Sequence, residues 1–125
     1  MEIKKKPRPK VTHGPTIRME TGCGHLYVTV NRDNDDELFE VFAHLGKTGG
    51  CAACQCEALT RQISIGIRCG VPVEEQIKQL LGIRCPGISG GSENPETYQM
   101  SCPEAIGQAI LKEGGEHEEW LKKKG

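Results

Sequence analysis

No apolar run in this chain approaches the ~18 residues that a membrane-spanning helix requires. The basic N-terminus is not followed by a hydrophobic segment, so a secretory leader is not expected either. Charge of one sign is also missing: 16 Lys and Arg stand against 17 Asp and Glu. A balanced chain has no overall field to draw it to nucleic acid or to an anionic lipid surface. Aromatic residues make up only 4% of the 125, while 16 are glycine, so the core must be thin. These absences predict one small cytoplasmic domain, with neither membrane nor nucleic acid as its partner.

Cysteine is what the chain has in excess, seven residues in an odd count. In a reducing compartment thiols stay free, and clustered cysteines favour metal binding or redox chemistry over structural disulfides. A thin core adds a reason, because a metal can supply folding energy that apolar burial does not.

Along the chain, "KKKPRPK" (Lys4 to Lys10) reads as a flexible basic arm over residues 1–15. "TIRMET" suits a short strand. "HLYVTVN" alternates, with Leu26, Val28 and Val30 on one face. The acidic "RDNDDE" then turns the chain; it lacks the central Gly and terminal Glu of a calcium loop. "LFEVFAH" returns as the second arm of a hairpin, with Phe39, Val41 and Ala43 on one face. "GKT" at Gly46 does not open a phosphate loop, because Val41 holds the place of the required first Gly.

From Cys51 to about Cys69 an apolar stripe of Ala52, Cys56, Leu59, Ile63 and Ile67 predicts a long helix stopped at Gly70. "VPVEEQIKQLLG" predicts a second helix, and "ISGGSENPETY" a loop. Ser101 and Glu104 form a capping-box pair that starts a third helix, which Gly114-Gly115 would end. Residues 114–125 read as a tail or short helix.

Four cysteines occupy turn-like element boundaries: Cys23, Cys51, Cys85 and Cys102. Metal thiolates commonly come from such places, where free backbone N–H groups can stabilise an anion. Four of them can enclose a zinc ion tetrahedrally, or hold an iron–sulfur cluster. Cys56 and Cys69, inside or at the end of the helix, read as small buried apolar side chains. Cys54 is open to either role, since Cys51-Ala-Ala-Cys54 also has the form of a redox pair. His25 and His44 could approach the cysteines, but exposed strand-end histidines are the simpler reading. No arrangement of Ser, His and Asp suggests hydrolysis.

The flanks of these cysteines carry a resemblance. "TGCGHLYVTVN", "FEVFAHLGKTGGCAACQCEALTRQISIGIRCGV", "IKQLLGIRCP" and "MSCPEAIGQAI" together resemble the TSCPD domain, from about Thr16 to Leu111. That domain occurs near the C-terminus of adenosylcobalamin-dependent (class II) ribonucleoside-diphosphate reductases and in small standalone proteins. The name-giving motif reads Met100-Ser101-Cys102-Pro103-Glu104 here, and Glu keeps the carboxylate of the capping box. The resemblance implies that Cys23, Cys51, Cys85 and Cys102 are metal ligands and gives no such role to Cys54 or Cys56. The layout is also similar, remotely, to the iron–sulfur scaffold fold.

The resulting expectation is an α+β domain over residues 16–113, with about three antiparallel strands packed against helices. It would be a zinc-binding accessory module linked to a ribonucleotide reductase and deoxynucleotide synthesis. Its partner would be the reductase catalytic chain or a second copy of itself, and adenosylcobalamin would enter only through that reductase. An iron–sulfur scaffold and a thiol–disulfide relay through Cys51 and Cys54 are the alternatives. Length and motifs point away from catalysis by this chain alone.

Overall fold

The computed structural model describes residues 3–46, 50–85 and 101–113. The chain runs β1 (Thr16–Thr21), β2 (Gly24–Arg32), β3 (Leu38–Leu45), α1 (Cys51–Arg68), α2 (Val73–Leu80) and α3 (Cys102–Glu113). The strands form one antiparallel sheet in the order β1-β2-β3. This is the α+β architecture that the alternating and helical patterns predict. The loop expected at Ile88–Tyr98, the glycine stop at Gly114-Gly115 and the C-terminal tail lie outside the described residues.

Alternation sets the face of each strand. Leu26, Val28 and Val30 of β2 are buried with Met19 of β1 and with Phe39, Val41 and Leu45 of β3. Burying each such side chain contributes about 1.5–3 kcal/mol. The register pairs Met19 with Leu26 and Leu26 with Leu45, so one apolar face continues across all three strands. At the β2–β3 turn, Asp33 Oδ1 accepts the N–H groups of Asp35 (2.9 Å) and Glu37 (3.1 Å). The acidic tip is therefore a side-chain-closed turn.

The helices complete the core. α3 is the central one: Ala105, Ile106, Ala109 and Ile110 are fully buried. It packs on α2 and on β1 and β2. Gly107 permits that closeness, since a Cβ there would lie 3.0 Å from Leu80 Cβ. α1 lies along the edge strand β3. Ser64 Oγ accepts the Val41 N–H and donates to the Val41 carbonyl, both at 3.0 Å. That satisfies main-chain groups that an open edge would offer to another chain.

Among the described residues the basic arm is bonded to the domain at Lys6, Arg8, Thr12 and His13. Lys6 N donates to Arg68 O at 3.0 Å, and Arg68 Nε donates back to Lys6 O at 2.9 Å. Arg8 makes a two-pronged contact with Glu40, through Nε at 2.9 Å and a terminal nitrogen at 3.0 Å. His13 and Arg32 exchange main-chain bonds. The cationic composition that reads as a solvated terminus does not reveal that a buried carboxylate faces it. Among the described residues no helix is long and apolar enough to cross a membrane.

Candidate metal centre

Cys23 occupies the tip of the β1–β2 hairpin. Thr21 pairs with Gly24, leaving Gly22 and Cys23 as the turn. The turn is held from within: Thr21 Oγ1 accepts the Cys23 N–H at 3.1 Å and donates to Gly24 O at 3.0 Å. Gly24 has φ +118°, a conformation that residues bearing a Cβ rarely adopt. The sequence Thr-Gly-Cys-Gly thus fixes the cysteine at the end of the sheet.

Cys102 is the first residue of α3. Ser101 Oγ accepts the Glu104 N–H at 3.1 Å, which is the helix cap expected from the sequence. Glu104 also reaches outward: its Oε1 accepts the Gly82 N–H at 3.2 Å. Gly82 has φ +85° and ends the α2 turn, three residues before Cys85. One capping pair therefore places Cys102 and ties down the segment that carries Cys85.

Cys56 enters from the second turn of α1, on its buried face. Together with Cys23, Cys85 and Cys102 it lines a single cavity of about 360 Å³, beside Leu59 and Pro103. Four segments of the chain thus contribute one cysteine each to one space. Cys51 is exposed at the start of α1 and does not line that cavity; Cys54 is exposed as well. The structure brings together three of the four cysteines singled out in the sequence, Cys23, Cys85 and Cys102. Their companion is Cys56, which is 3% exposed.

The thiols influence one another. A hydrogen bond from Cys56 holds the Cys102 thiol down to about 6, against the effect of burial and with help from Thr21 and Cys23. Cys102 Sγ lies 3.6 Å from Thr21 Oγ1. Cys56 is pushed up by the same hydrogen bond, by burial, and by negative charge at Cys102 and Cys23. Cys23 is raised chiefly by burial, then by Cys102 and Cys85. Cys102 thus becomes a thiolate before Cys23 and Cys56 do.

Among the described residues no three His, Cys, Asp or Glu side chains are drawn together as a finished metal site. The four cysteines share one cavity, which is looser than a coordination shell. Their chemistry is nevertheless uniform: four soft sulfur donors, with no carboxylate or imidazole lining the space. Such a donor set suits zinc or an iron–sulfur cluster and not calcium or magnesium. His25 and His44 are exposed on β2 and β3 and do not line this cavity.

The signal that could have found Cys56 is the apolar stripe of α1, which includes it. Periodicity shows that Cys56 faces inward. It does not show that the start of α3 stands opposite.

The vitamin B12-dependent ribonucleotide reductase of Streptantibioticus cattleyicolor is 32% identical over 80 residues, which cover 64% of this chain and 13% of that protein. Those of Streptomyces clavuligerus and Streptomyces coelicolor are also 32% identical over 80 residues, covering 8% of each. The chain therefore matches only a small part of these relatives' length. No solved structure matches it. The family model for the TSCPD domain matches residues 2–113, arm included, and the chain belongs to the TSCPD domain family.

Proposed function

We propose that this chain is an accessory module that works with a vitamin B12-dependent ribonucleotide reductase and binds one zinc ion. The ligands are thiolates of Cys23, Cys56, Cys85 and Cys102. The single observation supporting the zinc is that four separate segments each direct a cysteine to one cavity. A zinc bound there would cross-link the hairpin tip, α1, the segment after α2 and the start of α3. Support for the reductase partnership comes from the relatives named above, whose B12 chemistry stays with the partner chain.

Elemental analysis with an absorption spectrum, on protein purified without oxygen or chelator, tests the site. About one zinc per chain is expected, lost in Cys56→Ser and kept in Cys51→Ser. Loss in Cys51→Ser instead would return Cys51 to the ligand set. Iron with acid-labile sulfide would make the site a cluster scaffold, and absence of any metal would overturn it. Size-exclusion chromatography with the reductase chain from the same cell tests the partnership: separate elution overturns it. The same column shows whether the chain pairs with itself.

A further inference from the structure

Two cysteines are left at the surface with their own chemistry. Cys51 and Cys54 are both exposed and occupy the first turn of α1. Residues three apart on a helix share a face. From helix geometry their Cα atoms are about 5 Å apart, inside the ~4.4–6.8 Å range that a disulfide spans. The Cys54 thiol already points back along the helix, donating to Cys51 O at 3.2 Å.

The surroundings favour exchange. Gly50 supplies no side-chain cap to this turn, and no acidic residue lies in it to repel an attacking thiolate. A second cavity of about 350 Å³, bounded in part by Ala43, His44, Gly50, Cys54 and Glu57, opens beside Cys54. It is distinct from the space that Cys56 lines.

We propose that Cys51 and Cys54 form a dithiol–disulfide couple that reduces a disulfide presented by another protein at this end of α1. The inference accepts the Cys56-containing ligand set above, which leaves Cys51 unbound. In the first step the Cys51 thiolate attacks one sulfur of the partner's disulfide. A Cys51–partner bond forms, and the other partner sulfur leaves as a thiolate that takes up a proton. The Cys54 thiolate then attacks Cys51 Sγ and releases the second partner sulfur, which is protonated in turn. Two electrons pass from the chain to the partner, whose disulfide becomes two thiols while Cys51–Cys54 becomes a disulfide.

The test uses the full chain with its metal in buffers of stepped reduced-to-oxidised glutathione ratio. Samples are quenched by alkylation, and each cysteine is located by fragmentation mass spectrometry. Cys51 and Cys54 should lose alkylation together at one midpoint, with the loss of two hydrogens and no change in metal content. The reduced chain should also reduce insulin, as a protein disulfide, and Cys51→Ser and Cys54→Ser should each lower that rate at least tenfold. A pair that stays reduced throughout, a Cys54–Cys56 bond, inactivity toward insulin, or loss of metal in Cys51→Ser would overturn the couple. A metal-free chain that still shows the Cys51–Cys54 midpoint would overturn the zinc reading and leave this one standing.

Discussion

The two ends of the sheet are closed by different chemistry. At one end the N-terminal arm crosses the start of β3, and Glu40, 4% exposed, accepts hydrogen bonds from Arg8, Thr12 and Asn31. Arg32 reaches from the same region to Glu113 O at 2.7 Å, and Arg68 stacks over the Phe39 ring at 5.5 Å. At the other end the hairpin tip, α1 and α3 meet through thiols. Charge-assisted bonds satisfy a buried carboxylate outright. A thiol is only a weak donor and acceptor, so the cysteine end has less to hold it. The difference teaches where outside help would count: at the thiol end, which the proposed zinc would brace.

The largest effect should therefore come from metal. At a zinc concentration 100 to 1,000 times its dissociation constant, binding adds about 2.7–4.1 kcal/mol. For a domain of this size that is a rise in Tm of roughly 10–25 °C. Thermal melts with and without chelator read it directly. The gain should vanish in Cys102→Ser and persist in Arg8→Ala. Equal dependence of both variants on zinc would erase the contrast between the ends.

Next in size is the polar end. Burial pushes the Glu40 carboxyl up, but hydrogen bonds from Arg8, Thr12 and Asn31, with the Arg8 charge, hold it below the usual range. A depressed carboxylate contributes stability that is fully present above its ordinary value of about 4.5 and is lost as pH falls through the folded value. Glu40→Gln should cost about 1.5–3 kcal/mol at pH 7, the worth of hydrogen bonds to a charged group. Its stability should also fall less than the parent's on acidification below about pH 4.5. Denaturant titrations at pH 7 and pH 3.5 check both signs. Parallel pH profiles for the two proteins would remove Glu40 as the anchor of this end.

A smaller change tests the hinge of the thiol end. Thr21→Val removes the acceptor for the Cys23 N–H and the hydroxyl beside Cys102 at nearly constant shape. The expected loss is about 1 kcal/mol, the worth of a typical hydrogen bond, with weaker zinc binding, because the lost bond lies in the ligand turn itself. Competition with a chromophoric chelator measures the second effect.

How much of this was legible beforehand follows from what each signal encodes. Period-2 alternation in "HLYVTVN" and "LFEVFAH" gives the strands and their inner faces, because a side chain's face depends only on local pleating. The caps were legible for the same reason: Ser101 and Glu104 are three residues apart. Long-range pairings were not. Nothing in "KKKPRPK" names Glu40, 32 positions beyond Arg8, as its partner. Likewise Ser64 gives no hint in the sequence that it closes the edge at Val41. Within the candidate site, boundary position singled out Cys23, Cys85 and Cys102, whose turns are local features. Cys56 lies on a helix face, and only the docking of α1 against α3 turns an apolar stripe position into a neighbour of Cys102.

The smallest effect sharpens the contrast most, because it separates a helix cap from a ligand holder. Ser101→Ala removes the acceptor for the Glu104 N–H and should cost about 1 kcal/mol, as lost caps do. At the polar end a loss of that size would stay in the stability alone. Here the capping residue, Ser101, is the neighbour of Cys102, and Glu104 is bonded to Gly82 on the segment leading to Cys85. Fraying the first turn of α3 should loosen two of the four thiols at once, so zinc affinity should fall several-fold while the Glu40 acid response is unchanged. Zinc competition and pH-dependent unfolding on the same variant read the two ends independently. A cap loss that lowers stability with affinity intact would show that the thiol positions are set by α1 and the hairpin, and that α3 merely follows them.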